Sequence, residues 1–321
     1  MARKILHVVG KQGLKRKLRS ILAVTAVGVF LSTSLAYGAF FDTAGQSARP
    51  MGMGEVFLAS RGGAAGFWYN PAGLASIENR QVGIAYGILN PSIASDLMSY
   101  NLNVVFPMGG ISGLGLGISG LSADGASEMV INGAYGRSFG ESFALGANVR
   151  MLRWASDGQF DPYHGTDDDD LSKVSFSLDV SASYSIGELF GLGQFATGVY
   201  VKDAIMPNIS ESGDDGGKLP IEAGIGIMME REGLAVEGDV ATVNGNTIFR
   251  VGGESAITGS DLKVRAGFIY GSDWEDDAEI ADIDLGLGYV FRTIIFDYAY
   301  NIPMAFKETG GRHFISFGVS F

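Results

Sequence analysis

The feature that most constrains this chain is a period-two alternation of apolar and polar residues, which recurs from Gln81 to the C-terminus. Between Val174 and Ile186 every even-numbered residue is apolar and every odd-numbered residue is Ser or Asp. Successive side chains of a β-strand point to opposite faces, so each such segment has one apolar and one polar face. The alternation predicts an all-β protein.

The alternating segments are long, and the connections between them follow a pattern. Strands of globular proteins usually have about five or six residues, whereas bilayer-crossing strands need about 9–11. Most long polar connections follow odd-numbered segments, and those after even-numbered segments are short, which is typical of outer-membrane barrels. We predict a transmembrane antiparallel β-barrel of about 14 strands in the outer membrane of a Gram-negative-type bacterium, with both termini periplasmic. The predicted strands are 81–88, 98–106, 111–121, 127–138, 141–154, 172–187, 192–203, 218–231, 233–242, 246–255, 262–272, 279–291, 293–302 and 312–321.

A soluble β-sandwich is the alternative architecture, with shorter strands and its apolar faces turned inward. The last segment favours the barrel, because Ile315, Phe317, Val319 and Phe321 share one face. A terminal aromatic residue with apolar residues at every second position resembles the signal read by the barrel assembly machinery. That machinery is therefore an expected partner, together with outer-membrane lipid and lipopolysaccharide.

Residues 1–38 are predicted to be a cleaved signal peptide. Seven Lys and Arg residues precede an apolar stretch from Ile21 to Leu35, and small residues end at Gly38. An uncleaved N-terminal anchor is the alternative. The remaining chain is divided into 39–80, which lacks the alternation, and the barrel, 81–321.

Composition excludes several classes of function. The formal net charge of −12 predicts no nucleic-acid partner, and the absence of Cys excludes disulfides and thiolate metal sites. His313 falls on the lipid-facing side of its segment, which argues against a catalytic triad. We expect no enzymatic activity, catalytic residue, metal site or cofactor. The acidic run Asp167–Asp170 is interpreted as a solvated loop, with surface Ca²⁺ or Mg²⁺ binding as the alternative.

If the apolar faces contact lipid, the polar faces line the lumen. Charges facing lipid would cost about 2–4 kcal/mol each at the bilayer midplane, which supports this assignment. The inward charges form either a salt-bridge network that stiffens the wall or a lining that steers a charged headgroup. The predicted network comprises Arg150, Glu237, Asp239, Arg250, Lys263, Arg265, Asp282 and Asp284.

The third strand differs from the others, because Gly113, Gly115 and Gly117 are its inward residues. An inner face without side chains leaves room for another backbone and invites a bend. A fourteen-stranded barrel needs filling or conducts water. Residues 39–80 are rich in small residues, and we predict that they plug the lumen.

Two motifs in this plug, Gly45–Gly54 with its Gly-Met-Gly turn and Phe67–Leu74 with Asn70-Pro71-Ala72, resemble the N-terminal region of the FadL-like superfamily. That superfamily includes fatty-acid and hydrocarbon transporters and the PorV/PorQ-like proteins. Arg61-Gly-Gly-Ala64 stands where the family has an acidic bend. The resemblance implies a fourteen-stranded barrel with an N-terminal hatch in its lumen.

The resemblance implies one of two functions. The first is passage of hydrophobic, fatty-acid- or hydrocarbon-like molecules through the hatch and a lateral opening beside strand three. The second is a PorV-like barrel that binds secretion-system proteins during protein secretion or surface attachment. Asn70-Pro71 also suits an ordinary turn that closes the hatch. The residues expected at the hatch and opening are Met51, Met53, Phe67, Trp68, Asn70, Pro71, Ala72, Gly113, Gly115 and Gly117.

Overall fold

The alternating segments form fourteen antiparallel strands that close into one barrel, in which β1 pairs with both β2 and β14. The computed structural model describes residues 41, 45–60, 63–92, 97–156, 171–210, 217–272, 279–305 and 307–321. The predicted all-β antiparallel barrel is confirmed, and so is the number of strands. Its strands are β1 (Gln81–Leu89), β2 (Met98–Pro107), β3 (Ser112–Ala123), β4 (Ala126–Phe139), β5 (Phe143–Ser156), β6 (Leu171–Leu189), β7 (Gly193–Lys202), β8 (Glu222–Arg231), β9 (Leu234–Val243), β10 (Asn246–Ala256), β11 (Leu262–Ser272), β12 (Glu279–Phe291), β13 (Ile294–Pro303) and β14 (Arg312–Ser320).

The two faces of the wall differ as the alternation predicts. On β5 and β6 the outward Val149 and Phe176 are 58% and 60% exposed, whereas the inward Asn148 and Ser177 are 0% and 1% exposed. An apolar outer surface around a polar interior is the reverse of a soluble barrel, and it suits a wall surrounded by lipid. The barrel therefore has a transmembrane design.

Strand β8 begins four residues later than the prediction of 218. Pro220 lacks the backbone N–H that a strand ladder requires. Lys218 instead pairs with Asn208 in an isolated bridge, and the Leu219 N–H donates to the Pro207 carbonyl at 3.0 Å. This connection is fastened to the wall, since the Trp154 indole donates to the Ile209 carbonyl at 2.7 Å.

The first described residue lies at the opposite end of the barrel from the last. The Phe41 N–H donates to Glu128 near the start of β4, at the end that carries the long connections. The Phe321 N–H donates to the Arg80 carbonyl, at the end with the short turns. The position of Phe41 does not test the prediction that both termini are periplasmic, because the residues before it lie outside the described part of the chain. An even strand number fixes where β1 begins and β14 ends, but it does not constrain residues that precede β1.

The residues before β1 contain only short helical turns where they are described. These are an α-helix, α1 (Ala48–Met51), and two 3-10 helices, Gly66–Trp68 and Pro71–Ser76. A further 3-10 turn, Lys307–Thr309, precedes β14. In the described part of the chain, no helix has the length and apolar character to span a membrane. The predicted signal peptide and the run Asp167–Asp170 lie outside the described residues.

Candidate functional site

The N-terminal segment, defined as the described residues 41, 45–60 and 63–80, packs against the inward faces of strands from nearly every part of the wall. The helix α1 contacts β12, β13 and β14, while the turn Pro71–Ser76 contacts β3, β4, β5 and β6. Small residues and three short helices let this segment bend repeatedly. It occupies the inside of the barrel from the long-connection end, at Phe41, to the start of β1.

Inward glycines of the wall make this packing possible. An added Cβ would overlap the segment's backbone at Gly198, where it meets the Leu58 carbonyl, and at Gly252, where it meets the Met53 carbonyl. Backbones approach this closely only where no side chain intervenes. We call these wall residues the glycine belt. Its members are Gly113, Gly136, Gly146, Gly198, Gly252, Gly267 and Gly286.

Strand β3 is one part of this belt, and two aromatic side chains of the segment cover it. The Phe67 ring lies 2.9 Å from the position of a Cβ on Gly115, and the Trp68 ring lies 2.7 Å from one on Gly117. The two rings stack with centroids 5.6 Å apart. The Trp68 indole N–H donates to Asn103 at 2.6 Å. The structure thus brings the predicted residues Phe67, Trp68, Gly115 and Gly117 together.

The pairing of β3 is continuous on both sides. Gly113 to Ser122 pair with β2, and Ser112 to Ala123 pair with β4, without a register shift. The lateral opening that the resemblance implies beside β3 is therefore absent from this conformation. The expected bend does not interrupt the strand pairing either, because the aromatic rings of the segment fill the space that the glycines leave.

Two carboxylates of β9 hold the segment through its backbone. The Phe57 and Leu58 N–H groups donate to Asp239 Oδ2 at 3.1 and 3.4 Å, and the Ala59 and Ser60 N–H groups donate to Glu237 Oε1 at 2.6 and 3.2 Å. The Ser60 hydroxyl donates to the other oxygen of Glu237. We call Glu237 and Asp239 the carboxylate clasp. Hydrogen bonds to charged acceptors contribute about 1.5–3 kcal/mol each, so the clasp is a strong attachment.

The Asn-Pro-Ala motif forms a second attachment on β6. Asn70 Nδ2 donates to the Leu58 carbonyl at 2.5 Å and to Ser183 Oγ at 2.9 Å. The Asn70 side chain also caps the following 3-10 helix by accepting from the Ala72 N–H at 3.1 Å. That same N–H donates to Ser181 Oγ at 2.9 Å. The motif therefore forms a turn, as one interpretation of it predicts, and also joins two parts of the segment to the wall.

The predicted inward charges fall into separate groups rather than one network. Arg150 pairs with Asp179 and Asp203, each at 2.7 Å, and all three are buried. On the opposite side, Glu254 accepts from Lys263 at 2.8 Å and from Arg265 at 2.6 Å. Arg265 also pairs with Asp297 at 2.8 Å, and Arg250 lies across the strand pair from Asp239.

The segment adds its own charge to the second group. Arg49 of α1 pairs with Glu254 at 3.1 Å, and its guanidinium lies 5.2 Å from the centre of the Phe57 ring. On β12, Asp282 and Asp284 both accept from Asn301, at 2.8 and 2.9 Å. These contacts make the charges structural ties between strands and segment, which agrees with the salt-bridge interpretation.

Sequence reasoning missed several participants. Glu254 has the same inward parity as Arg250, so the alternation could have identified it. Asp203 follows the last residue of β7, where alternation no longer applies.

Met51 and Met53, predicted at the hatch, are both 1% exposed, and Met51 packs against Ala299 and Phe314 of the wall.

A small polar cavity remains inside the barrel, with a volume of about 30 Å³. Its lining includes Glu55, Asp179, Lys202 and Glu222, together with Trp68 of the segment. That volume suits about one water molecule and is far too small for a hydrocarbon ligand. Among the described residues, no group of three or more His, Cys, Asp or Glu side chains is arranged to hold a metal ion.

Solved structures of transporters share this architecture. No protein-family model matches the sequence, and no curated protein matches it. The Pseudomonas putida toluene transporter TodX superposes with a TM-score of 0.65 at 12% identity, covering 87% of this chain and 99% of TodX. The chain has the fold of the FadL-type barrels.

Two further structures support the same fold. The Ralstonia pickettii toluene transporter TbuX gives a TM-score of 0.64 at 12% identity, covering 88% of this chain and 100% of TbuX. A Pseudomonas aeruginosa FadL homologue gives 0.59 at 13% identity, covering 88% and 97%. The likeness in fold therefore covers nearly the whole length of these FadL-type barrels, at a low sequence identity.

The glycine belt predicts a position-specific cost of adding one methyl group. Gly198→Ala would press a Cβ into the Leu58 backbone, which a side-chain rotation cannot relieve. Overpacking of this kind costs about 1–3 kcal/mol, so we expect lower urea resistance of the barrel refolded in lipid. Gly133→Ala is the matched control, because its Cβ meets no atom within 4 Å. Equal resistance of both variants would contradict the belt.

The carboxylate clasp predicts that weakening it loosens the segment. The double variant Glu237→Gln, Asp239→Asn keeps the side-chain shapes but removes the charge from the acceptors of four N–H groups. We expect at least about a tenfold rise in open time in planar-bilayer conductance, since each charged hydrogen bond contributes about 1.5–3 kcal/mol. Glu230→Gln, which removes an exposed charge from β8, should leave the open time unchanged. Unchanged conductance in the double variant would contradict the clasp.

Proposed function

We propose that this protein is an outer-membrane channel that passes hydrophobic small molecules when its N-terminal segment moves. The observation that carries the proposal is a lumen closed by a separate stretch of chain, in a fold shared with two toluene transporters. Hydrophobic molecules need such a route because the charged outer leaflet slows them. The end with the long connections would face outward, as is usual for these barrels.

We infer that the segment must move because the cavity found between the described segment and the wall has room for about one water molecule and not for a hydrocarbon. The segment is held by hydrogen bonds and ion pairs, which can be exchanged for water or ligand, and by apolar contacts, which a hydrophobic ligand could replace. Withdrawal of Phe67 and Trp68 would leave the inner face of β3 without side chains at Gly115 and Gly117. We therefore place the exit of the ligand on the β3 side of the lumen.

A second candidate function is a partner role in protein secretion or surface attachment, as in the PorV-like proteins. The closed lumen favours it, because a barrel that only binds other proteins needs no open passage. In that case the segment would occupy the lumen permanently and would not need to move. The two candidates therefore differ in whether the segment must move.

A disulfide between the segment and the wall tests this difference, and the absence of native Cys makes the experiment specific. A Cβ built on Gly83 of β1 lies 3.0 Å from the Cβ of Ala64 in the segment and meets no other atom closer than 3.9 Å, so a small shift brings the pair to the usual disulfide separation of about 3.5–4.5 Å. We expect Ala64→Cys, Gly83→Cys to lose at least about nine-tenths of labelled toluene or oleate uptake when oxidised, and to recover it on reduction. Uptake is measured in bacteria that lack their own hydrocarbon channel.

The matched control is a disulfide within the wall. A Cβ on Gly318 lies 3.8 Å from that of Ile295, its partner across β13 and β14. Ile295→Cys, Gly318→Cys should transport equally well oxidised and reduced. No uptake by the unmodified protein would remove the transport proposal and leave the partner role. Full uptake by the oxidised segment-to-wall variant would show that passage does not need segment movement.

A further inference from the structure

The space on the β3 wall is occupied by two side chains of the protein itself. Phe67 and Trp68 stack on each other, and their rings lie against Gly115 and Gly117. Both side chains are nearly fully buried, and Val130 and Leu152 belong to the same apolar cluster. A flat floor without side chains, under stacked rings, has the shape of a site for a planar aromatic molecule.

Three inward asparagines lie around this aromatic pair, and two of them bind the segment. Asn103 of β2 accepts from the Trp68 indole, and Asn148 of β5 donates to the Phe67 carbonyl at 3.1 Å. Asn132 of β4 lies between them, across the strand pair from Gly117. In the described structure, neither the amide oxygen nor the amide nitrogen of Asn132 has a hydrogen-bond partner, although the residue is 1% exposed.

A buried amide without a hydrogen-bond partner destabilises the protein, so a ligand that forms a hydrogen bond with it would remove that cost. Leaving one buried polar atom unsatisfied destabilises a protein by about 1–3 kcal/mol. The neighbouring inward residues of β4 are Val130 and Ala134, so an apolar residue would fit this environment. A ligand with one hydrogen-bonding group would satisfy Asn132, while its ring took the place of Phe67 or Trp68.

The electrostatics of the site select a neutral ligand. Arg150 lies across the strand pair from Asn132, but its guanidinium is paired with both Asp179 and Asp203. The single positive charge of Arg150 is therefore already balanced by two carboxylates, so it would not attract a carboxylate ligand. An amide, in contrast, both donates and accepts, and it matches neutral hydroxyl or ring N–H groups.

We propose that the Phe67–Trp68 position is a self-occupied binding site for neutral aromatic molecules that carry one hydrogen-bonding group, of the indole or phenol class, and that Asn132 determines this preference. The proposal rests on the proposed channel function, because a ligand reaches the site only when the segment moves. It narrows the ligand class, since an unsubstituted hydrocarbon or an ionised fatty acid would leave Asn132 unpaired.

Indole and indene test this inference, because they share ring size and shape while only indole has a ring N–H. Binding is measured by equilibrium dialysis of the barrel in lipid nanodiscs, with protein-free discs subtracted. Phe67→Ala removes part of the resident aromatic pair and is expected to bind indole about tenfold more tightly than indene, a difference of about 1.4 kcal/mol. In the Phe67→Ala background, Asn132→Leu should abolish that preference, whereas the lipid-facing Ile131→Leu should keep it.

Uptake assays in cells separate the outcomes. If indole and indene bind equally in the Phe67→Ala protein, Asn132 holds only a structural water and the inference is overturned. If Asn132→Leu keeps the preference for indole, another group determines it, and the inference is equally overturned. In both cases measurable uptake of indene by the unmodified protein would leave the channel function standing, whereas absence of uptake for both molecules would remove both proposals.

Discussion

The rest of this structure depends on backbone-to-backbone contact between the barrel wall and the N-terminal segment. Fourteen strands enclose more space than their own inward side chains fill, and the segment fills it by approaching wall positions that have no side chain. The contact explains why glycine is so frequent on the inward faces of this barrel. It also explains why the segment has little regular structure, since its path is set by the wall around it.

Hydrogen bonds and ion pairs with charged side chains hold the segment in the position that the inward glycines make possible. The segment presents four consecutive N–H groups to the carboxylate clasp and one guanidinium, that of Arg49, to Glu254. Inside a barrel, charged groups cannot be left unpaired without a large cost, and Arg49, Lys263 and Arg265 all pair with Glu254. These attachments are polar and exchangeable, and they act beside the apolar contacts of Phe67 and Trp68 with Val130 and Leu152.

Much of the fold followed from local rules of the sequence. Alternation predicted the strands and their inward residues, because a strand has only two faces and lipid tolerates one kind of side chain. It could not predict the path of residues 45–60 and 63–80, which have no period and are placed by contacts distant in sequence. The sequence could not identify Asn132 for a related reason. The alternation shows that Asn132 points inward, but not that its amide lacks a hydrogen-bond partner.

Hydrogen–deuterium exchange of the backbone amides of Phe57 to Ser60, in the barrel reconstituted in lipid, tests the central claim most directly. These four amides are expected to exchange slowly in the unliganded protein, because Glu237 and Asp239 hold them. Saturating indole is expected to accelerate their exchange while amides in the middle of β9 stay protected. Fast exchange of the four amides without ligand, or no change when a bound ligand is demonstrated, would contradict a segment that closes the lumen and moves to open it.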